Sequence, residues 1–306
     1  MASFHILRAA AAELYVTDLE RSRHFYVDLL GFVETEKTKE ALYLRGVEEF
    51  LHHSLVLRKG PRPGLGAIAF RVMGPEELPK AEAFFREKGL PCRWTEEEGI
   101  KGKTLRTLDP MGFPVEYFYE MAHVPSQLRE FHRHRGAAPM RLDHFNLQVP
   151  DVDKAYRWYR EELGFRLSEY TETEEHPPRL WAAWLFRKPN VHDVALMQGP
   201  EARLHHVGFW VPEQSRVLSV CDVLAAAEKH HVIERGPGRH GISNAFFLYL
   251  RDPDGHRIEF YTGDYSTLDP DLPPLGWKLH DPRRQTYWGA PAPASWFEEG
   301  TEILSP

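Results

Sequence analysis

Cysteine is almost absent from this chain. Two thiols, Cys92 and Cys221, fall in different halves of 306 residues, which excludes a disulfide-stapled scaffold and suits a reducing compartment with free, buried thiols. Long apolar runs are missing too. No stretch approaches the roughly 18 apolar residues of a membrane-crossing helix, and Met1-Ala2-Ser3-Phe4-His5 shows no basic run leading into an apolar one. Nor is there an excess of positive charge: 38 Lys+Arg stand against 45 Asp+Glu, a net −7, and the basic residues are spread out. A balance of that kind does not draw a protein to nucleic acid or to an anionic membrane. The expected protein is cytoplasmic, has neither of those partners, and is long enough for two domains that each bury a core.

What is present is a repeat. Glu13-Leu14-Tyr15-Val16-Thr17-Asp18, running on through His24-Phe25-Tyr26 to Leu30-Gly31-Phe32, matches Asn146-Leu147-Gln148-Val149-Pro150-Asp151, running on through Arg157-Trp158-Tyr159 to Leu163-Gly164-Phe165. Later, Asp109-Pro110-Met111-Gly112 with Glu116-Tyr117-Phe118 matches Asp252-Pro253-Asp254-Gly255 with Glu259-Phe260-Tyr261. Matched words at nearly constant spacing mark an internal duplication. Each half divides again into two units of one strand, one helix and further strands. Asp18 is the expected N-cap of a helix over 19–30 that ends at Gly31, and Gly89 closes a second helix over 75–88. The fold class is α+β, with two domains each of two βαβββ modules forming an open mixed-sheet barrel whose inward residues can share a ligand at the mouth. The expected divisions are 1–125, a solvated linker over 126–139, 140–265, and a tail over 266–306.

The duplication supplies its own control for chemistry. His144, His206 and Glu259 each stand near a strand end in the second half, and the chain has 17 histidines in all. In the first half Ala11 and Ala67 occupy the positions of the two histidines, and only Glu116 remains. Histidines required by the fold would be needed in both copies. Two imidazoles and one carboxylate on one face of an ion leave other coordination positions free, as non-heme oxygenases require. Ala195 stands where symmetry would offer a fourth ligand. Three protein ligands leave room for a substrate and O₂, whereas four would favour isomerase or lyase chemistry on bound water.

Several of these words, Arg141-Leu142-Asp143-His144-Phe145-Asn146, Val191-His192-Asp193, Leu204-His205-His206-Val207, the segment 234–246 and Asp252 through Glu259, resemble the extradiol ring-cleaving dioxygenases of the vicinal oxygen chelate superfamily. The resemblance covers nearly the whole chain. It implies the glyoxalase-like fold, Fe(II) or Mn(II) on His144, His206 and Glu259, O₂ as co-substrate, and a homotetramer. It also implies catalytic roles for His192 (acid/base), Tyr249 (hydrogen bond to substrate oxygen) and Asn146, which shares a strand face with His144. Arg235, His240 and Arg284, with Arg283 in reserve, would surround a substrate carboxylate; Trp184 would lie beside its ring, and the turn Gly236-Pro237-Gly238 would present Arg235 and His240. The tail with Trp277 and Trp288 resembles a lid. The implied reaction opens 3,4-dihydroxyphenylacetate beside its diol to give 5-carboxymethyl-2-hydroxymuconate semialdehyde. Alternatives are another catechol, a glyoxalase- or epimerase-like enzyme, which would want a ligand near Ala195, and a non-catalytic binding member, which would need no metal triad.

Overall fold

The computed structural model describes residues 3–304. Four strand–helix–strand units follow one another. The first holds β1 (Ile6–Val16), α1 (Leu19–Arg23), β2 (Val33–Lys37), β3 (Ala41–Arg45) and β4 (Leu55–Lys59). The second holds β5 (Gly64–Val72), α2 (Glu77–Glu87), β6 (Cys92–Glu97), β7 (Lys101–Leu108) and β8 (Pro114–Phe118). The third and fourth repeat them as β9 (Arg141–Val149), α3 (Val152–Arg157), β10 (Arg166–Glu172), β11 (Leu180–Phe186), β12 (Val194–Gln198), then β13 (Arg203–Trp210), α4 (Gln214–Ala226), β14 (Ile233–Arg239), β15 (Phe246–Arg251) and β16 (Arg257–Thr262). The first sheet has the order β2-β3-β4-β1-β5-β8-β7-β6, and the second repeats it as β10-β11-β12-β9-β13-β16-β15-β14. Parallel pairs such as β13·β16 sit beside antiparallel ones such as β9·β13, giving the mixed sheet the repeat predicts.

The repeated words turn out to hold the halves together. Tyr26, from the first unit, donates to Asp252 in the fourth at 3.0 Å, while Tyr159, from the third, donates to Asp109 in the second at 3.3 Å. Each aspartate also caps its own turn, Asp109 accepting from the amides of Met111 and Phe113 and Asp252 from those of Asp254 and His256. A further link works through strand backbone. Asp193 accepts from the amide of Ala9 in β1. Apolar contacts follow the same plan, with Phe32 edge-on to Phe209 at 4.7 Å and Phe70 edge-on to Phe145 at 5.8 Å. One apolar cluster therefore runs through both halves, where the sequence predicts two separate cores.

Other differences are local. Asp18 caps the first helix through the amides of Glu20 and Arg21 and Gly31 adopts φ +86°, as expected, but α1 widens after Arg23 into a π-helical turn over His24–Leu29. The same widening recurs at Trp158–Glu162, so it belongs to the repeated unit. The segment 126–139 is less solvated than expected. Ala137 and Ala138 are buried, and a side chain at Gly31 would collide with the Arg135 carbonyl. Neither thiol is fully buried: Cys92 and Cys221 are half-buried and unpaired. The Gly236-Pro237-Gly238 segment lies inside β14, where its register against β15 slips between Arg235 and Gly238, so it makes a bulge in a strand and not a turn. After β16 the chain crosses the barrel mouth as β17 (Leu275–Lys278), which pairs with β10, then α5 (Ser295–Glu298) and β18 (Thr301–Glu302), which pairs with β13. Among the described residues no helix is long and apolar enough to cross a membrane.

Candidate active site

Three neighbouring strands, β16, β13 and β9, carry Glu259, His206 and His144 to one point. Gly208 of β13 lies in register beside both His144 and Glu259. A Cβ at that position would stand 2.2 Å from the His144 ring, so only glycine lets the middle strand pass behind the ligands. The Nε2 atoms of His144 and His206 are 3.2 Å apart, and Glu259 Oε2 lies 2.9 Å from the first and 3.2 Å from the second. All three residues are buried.

The far side of each imidazole fixes which nitrogen faces this point. His205 Nε2 donates to the Trp296 carbonyl at 2.9 Å, which leaves its Nδ1 as the acceptor for His206 Nδ1 at 2.7 Å. His144 Nδ1 donates to Asp143 Oδ2 at 3.1 Å, and Tyr261 donates to the same oxygen at 2.5 Å. Both Nε2 atoms are thereby turned inward, where their lone pairs can bind an ion once the shared proton leaves, the usual arrangement behind metal-bound histidines. Burial opposes charge on Glu259, yet the two histidines hold its carboxyl well below the usual range. Burial would also push His144 down, but its bonds to Asp143 and Glu259 prevail and raise it to about 9. His206, buried as well, is pushed down to about 4. A buried carboxylate and two imidazoles that compete for a single proton make a donor set suited to a divalent cation.

Seven further residues singled out in the sequence line the same pocket: Asn146, Trp184, His192, Arg235, His240, Tyr249 and Arg284. The choice between the two tail arginines is decided by burial. Arg283 is turned outward onto Asp281, whereas Arg284 is buried against the Trp181 ring with Nη1 unpaired. Arg235 lies between the rings of Phe247 and Trp296; its Nη2 bonds the Gln285 carbonyl and Thr286, and its Nε and Nη1 have no partner. His192 packs its ring 4.0 Å from that of His144, is neutral because burial pushes it well below its ordinary value, and has an unpartnered Nδ1. Unpaired atoms of Asn146, Ser243 and Trp296 add to these, so more than half of the buried, unpartnered side-chain polar atoms of the described residues sit on this pocket. Buried polar atoms are rarely left unpaired, and their concentration marks a place where a polar ligand completes the bonding.

His240 differs from its expected part. Burial pushes it down to about 3, its Nδ1 bonds the Gln285 carbonyl, and its Nε2 accepts from the Tyr249 hydroxyl at 3.0 Å. It therefore orients Tyr249 and offers no proton to an anion. Sequence reading also missed Trp181, Tyr261, Gln285 and Trp296 in the pocket wall, which no local motif marks. Asp143 and His205 were legible in principle, because each directly precedes a ligand histidine.

The model of the Glyoxalase/Bleomycin resistance protein/Dioxygenase superfamily matches residues 5–117 and 141–260, both halves of the duplication. The chain belongs to this superfamily. Within it, the chain falls on the extradiol dioxygenase branch as a metal-dependent oxidoreductase. It is 33% identical over 293 residues, 91% of this chain and 92% of the relative, to a manganese-dependent 2,3-dihydroxybiphenyl 1,2-dioxygenase of Geobacillus genomosp. 3. Among solved structures, homoprotocatechuate 2,3-dioxygenase of Brevibacterium fuscum, in its anaerobic complex with 3,4-dihydroxyphenylacetate, superposes with TM-score 0.95 at 46% identity, covering 99% of this chain and 95% of that one. The homoprotocatechuate 2,3-dioxygenase of Arthrobacter globiformis superposes with TM-score 0.96 at 45% identity, covering 100% and 94%. Extradiol relatives include both manganese-dependent and iron-dependent enzymes. Both metals accept a ligand set of two histidines and a carboxylate.

Proposed function

We propose that this extradiol dioxygenase opens the ring of 3,4-dihydroxyphenylacetate with O₂, giving 5-carboxymethyl-2-hydroxymuconate semialdehyde. The ring C–C bond beside the diol breaks, and the two atoms of O₂ become the new aldehyde and carboxylate oxygens. The observation that carries the substrate choice is the pair of buried guanidiniums, Arg235 and Arg284, whose unpaired N–H groups share one pocket with the metal ligands. A guanidinium grips a carboxylate through paired hydrogen bonds, and a desolvated one without an anion is costly.

His144, His206 and Glu259 would hold Fe(II) or Mn(II), which would supply Lewis acidity toward the catechol oxygens and a route for electron density between the ring and O₂. His192, neutral and with a free nitrogen, accepts the catechol proton and returns it. Tyr249, held by His240, hydrogen-bonds the substrate oxygen, Asn146 orients the small co-substrate, and Trp184 lies against the ring. The proposed working form is a cytoplasmic homotetramer, supported by unpaired thiols and by exposed apolar side chains such as Leu268, Tyr287 and Trp288 along the tail.

Oxygen uptake with a panel of catechols tests this. 3,4-Dihydroxyphenylacetate should exceed 4-methylcatechol in kcat/KM by a large factor. Arg284→Leu should cost about 2–5 kcal/mol of that preference while sparing uncharged catechols. Equal kcat/KM for the two substrates in the unmodified enzyme would overturn the carboxylate assignment.

A further inference from the structure

Between β11 and β12 the chain makes a short, heavily bonded segment that ends on His192. Asp193 Oδ2 accepts from the amides of Arg187 at 2.6 Å and Lys188 at 3.1 Å, and its Oδ1 accepts from Ala9 of the N-terminal half at 2.7 Å. Arg187 reaches back to the Ile6 carbonyl at 2.9 Å. Lys188 is the hub. Its ammonium donates to the carbonyl of His192 at 2.7 Å, to the carbonyl of Asp143 at 2.6 Å and to Asp193 Oδ1 at 3.1 Å, and it stands 3.7 Å from Asp143 Oδ1.

The duplication separates what the fold requires from what this half adds. A carboxylate that ties up this segment is present in both copies, Asp193 on the amides of Arg187 and Lys188 and Glu49 on the amide of Gly46. The ammonium is not. The segment between the matched strand residues Leu44 and Leu55 is two residues longer than that between Leu185 and Val194 and holds no lysine; its cation, buried Arg45, bonds the carbonyls of Gly46, Glu49 and Pro125 instead, and buried Ala10 stands where Asp143 does. Among the described residues, a cation bonded to the backbone of the matched histidine is thus found at His192 and not at His53.

We propose that Lys188 is a positioning residue, which fixes the His192 imidazole relative to His144 and carries the support of the metal-free half into the active site. This rests on the acid/base role proposed for His192. Without the ammonium, the His192 carbonyl loses its bond and the imidazole is free to tilt away from the catechol oxygen. Proton transfer then slows, and O₂ leaves as hydrogen peroxide while the catechol is oxidised to its quinone.

The test uses Lys188→Met and Lys188→Arg, each alone and combined with His192→Phe, in the metal-loaded enzyme. Lys188→Met should retain metal, lower kcat about tenfold or more and raise the peroxide released per O₂ consumed. In the His192→Phe background the same change should alter kcat less than about twofold, because residues acting through one group are non-additive. Lys188→Arg should recover most of the coupling. Anaerobic binding of 4-nitrocatechol gives a readout without turnover: its visible spectrum reports loss of the second hydroxyl proton, which Lys188→Met should reduce. Equal kcat losses in both backgrounds, or a lowered Tm with coupling and spectrum unchanged, would overturn the proposal. Lys188→Gln carries the same expectations if the Met variant does not accumulate. A wild-type enzyme that takes up no O₂ with any catechol would instead defeat the proposed function, and the nitrocatechol spectrum would still judge Lys188.

Discussion

The two barrels of this chain share one strand order and differ in what stands at their centres. In the C-terminal barrel the point where β9, β13 and β16 converge holds His144, His206 and Glu259. In the N-terminal barrel the same strands hold Ala11, Ala67 and Glu116, and Glu116 is bonded to the ammonium of Lys101 and lies 3.6 Å from the Arg106 guanidinium. Lys101 and Arg106 pull the Glu116 carboxyl below its ordinary value although burial opposes this. Glu13, where the other half has Asn146, is paired with Arg58 at 2.8 Å. Fixed internal cations thus answer the carboxylates of the first barrel. In the second, the carboxylate faces two histidines, and the unpaired polar atoms are left pointing into the pocket. A barrel whose charges are satisfied internally has no need of a ligand; the other is built to be completed by one.

The sharpest way to break this comparison is to remove one ligand from each barrel. His144→Ala, His206→Ala or Glu259→Ala should abolish bound metal by elemental analysis and lower turnover more than about 100-fold, beyond what loss of a supporting residue does. Glu116→Ala should leave metal content unchanged and destabilise the fold by about 3 kcal/mol, since it strands Lys101, with the loss read by chemical denaturation. Metal loss in Glu116→Ala but not in Glu259→Ala would reverse the assignment of the two barrels.

The matched histidines come next. His192→Phe should keep the metal and lose about 10²–10⁴-fold in kcat, the range ordinary for a proton-transfer group. His53, at the matched position, is buried beside His52 and faces only the first barrel. His53→Phe should leave kcat near wild type. Equal damage from both would make the histidine a fold requirement.

Asp143→Asn probes the support behind His144, whose counterpart in the first barrel is Ala10. An amide oxygen there is a weaker acceptor for His144 Nδ1–H, so metal affinity should fall about 10–100-fold without disturbing the first barrel. Titration with Mn(II) measures it.

The smallest effect concerns pH. Without metal, the proton shared in the site resides on His144, whose value is raised to about 9, while His206 lies at about 4 and Glu259 stays charged. Binding near neutrality must expel that one proton, so affinity falls as pH falls. Between pH 8 and 6 the Mn(II) affinity should drop about tenfold per unit, with one proton released per ion. A slope of two would mean that His206 is also protonated.

The duplication, the α+β unit, Asp18 as a cap, Gly31 as a helix end and the candidate ligand set were legible in sequence, because each depends on local chemistry or on comparison of one half with the other. The ligands were readable through a difference: a histidine that one copy can lack is not demanded by packing. Other features depend on distance in the chain. Tyr26 meets Asp252 and Tyr159 meets Asp109 only after the halves dock, so the same repeated words that signal duplication gave no sign that they are the clasp. That docking is also why one apolar cluster replaced two. Arg284 and Arg283 are identical as letters, and only the path of the tail over the barrel mouth buries one and exposes the other. His240 reads as a cationic partner, but burial and the Gln285 carbonyl make it a neutral acceptor for Tyr249. Sequence determined which groups could do chemistry; tertiary structure decided which of them lost water, and hence charge or partners, because desolvation is set by what packs around a side chain and not by its neighbours along the chain.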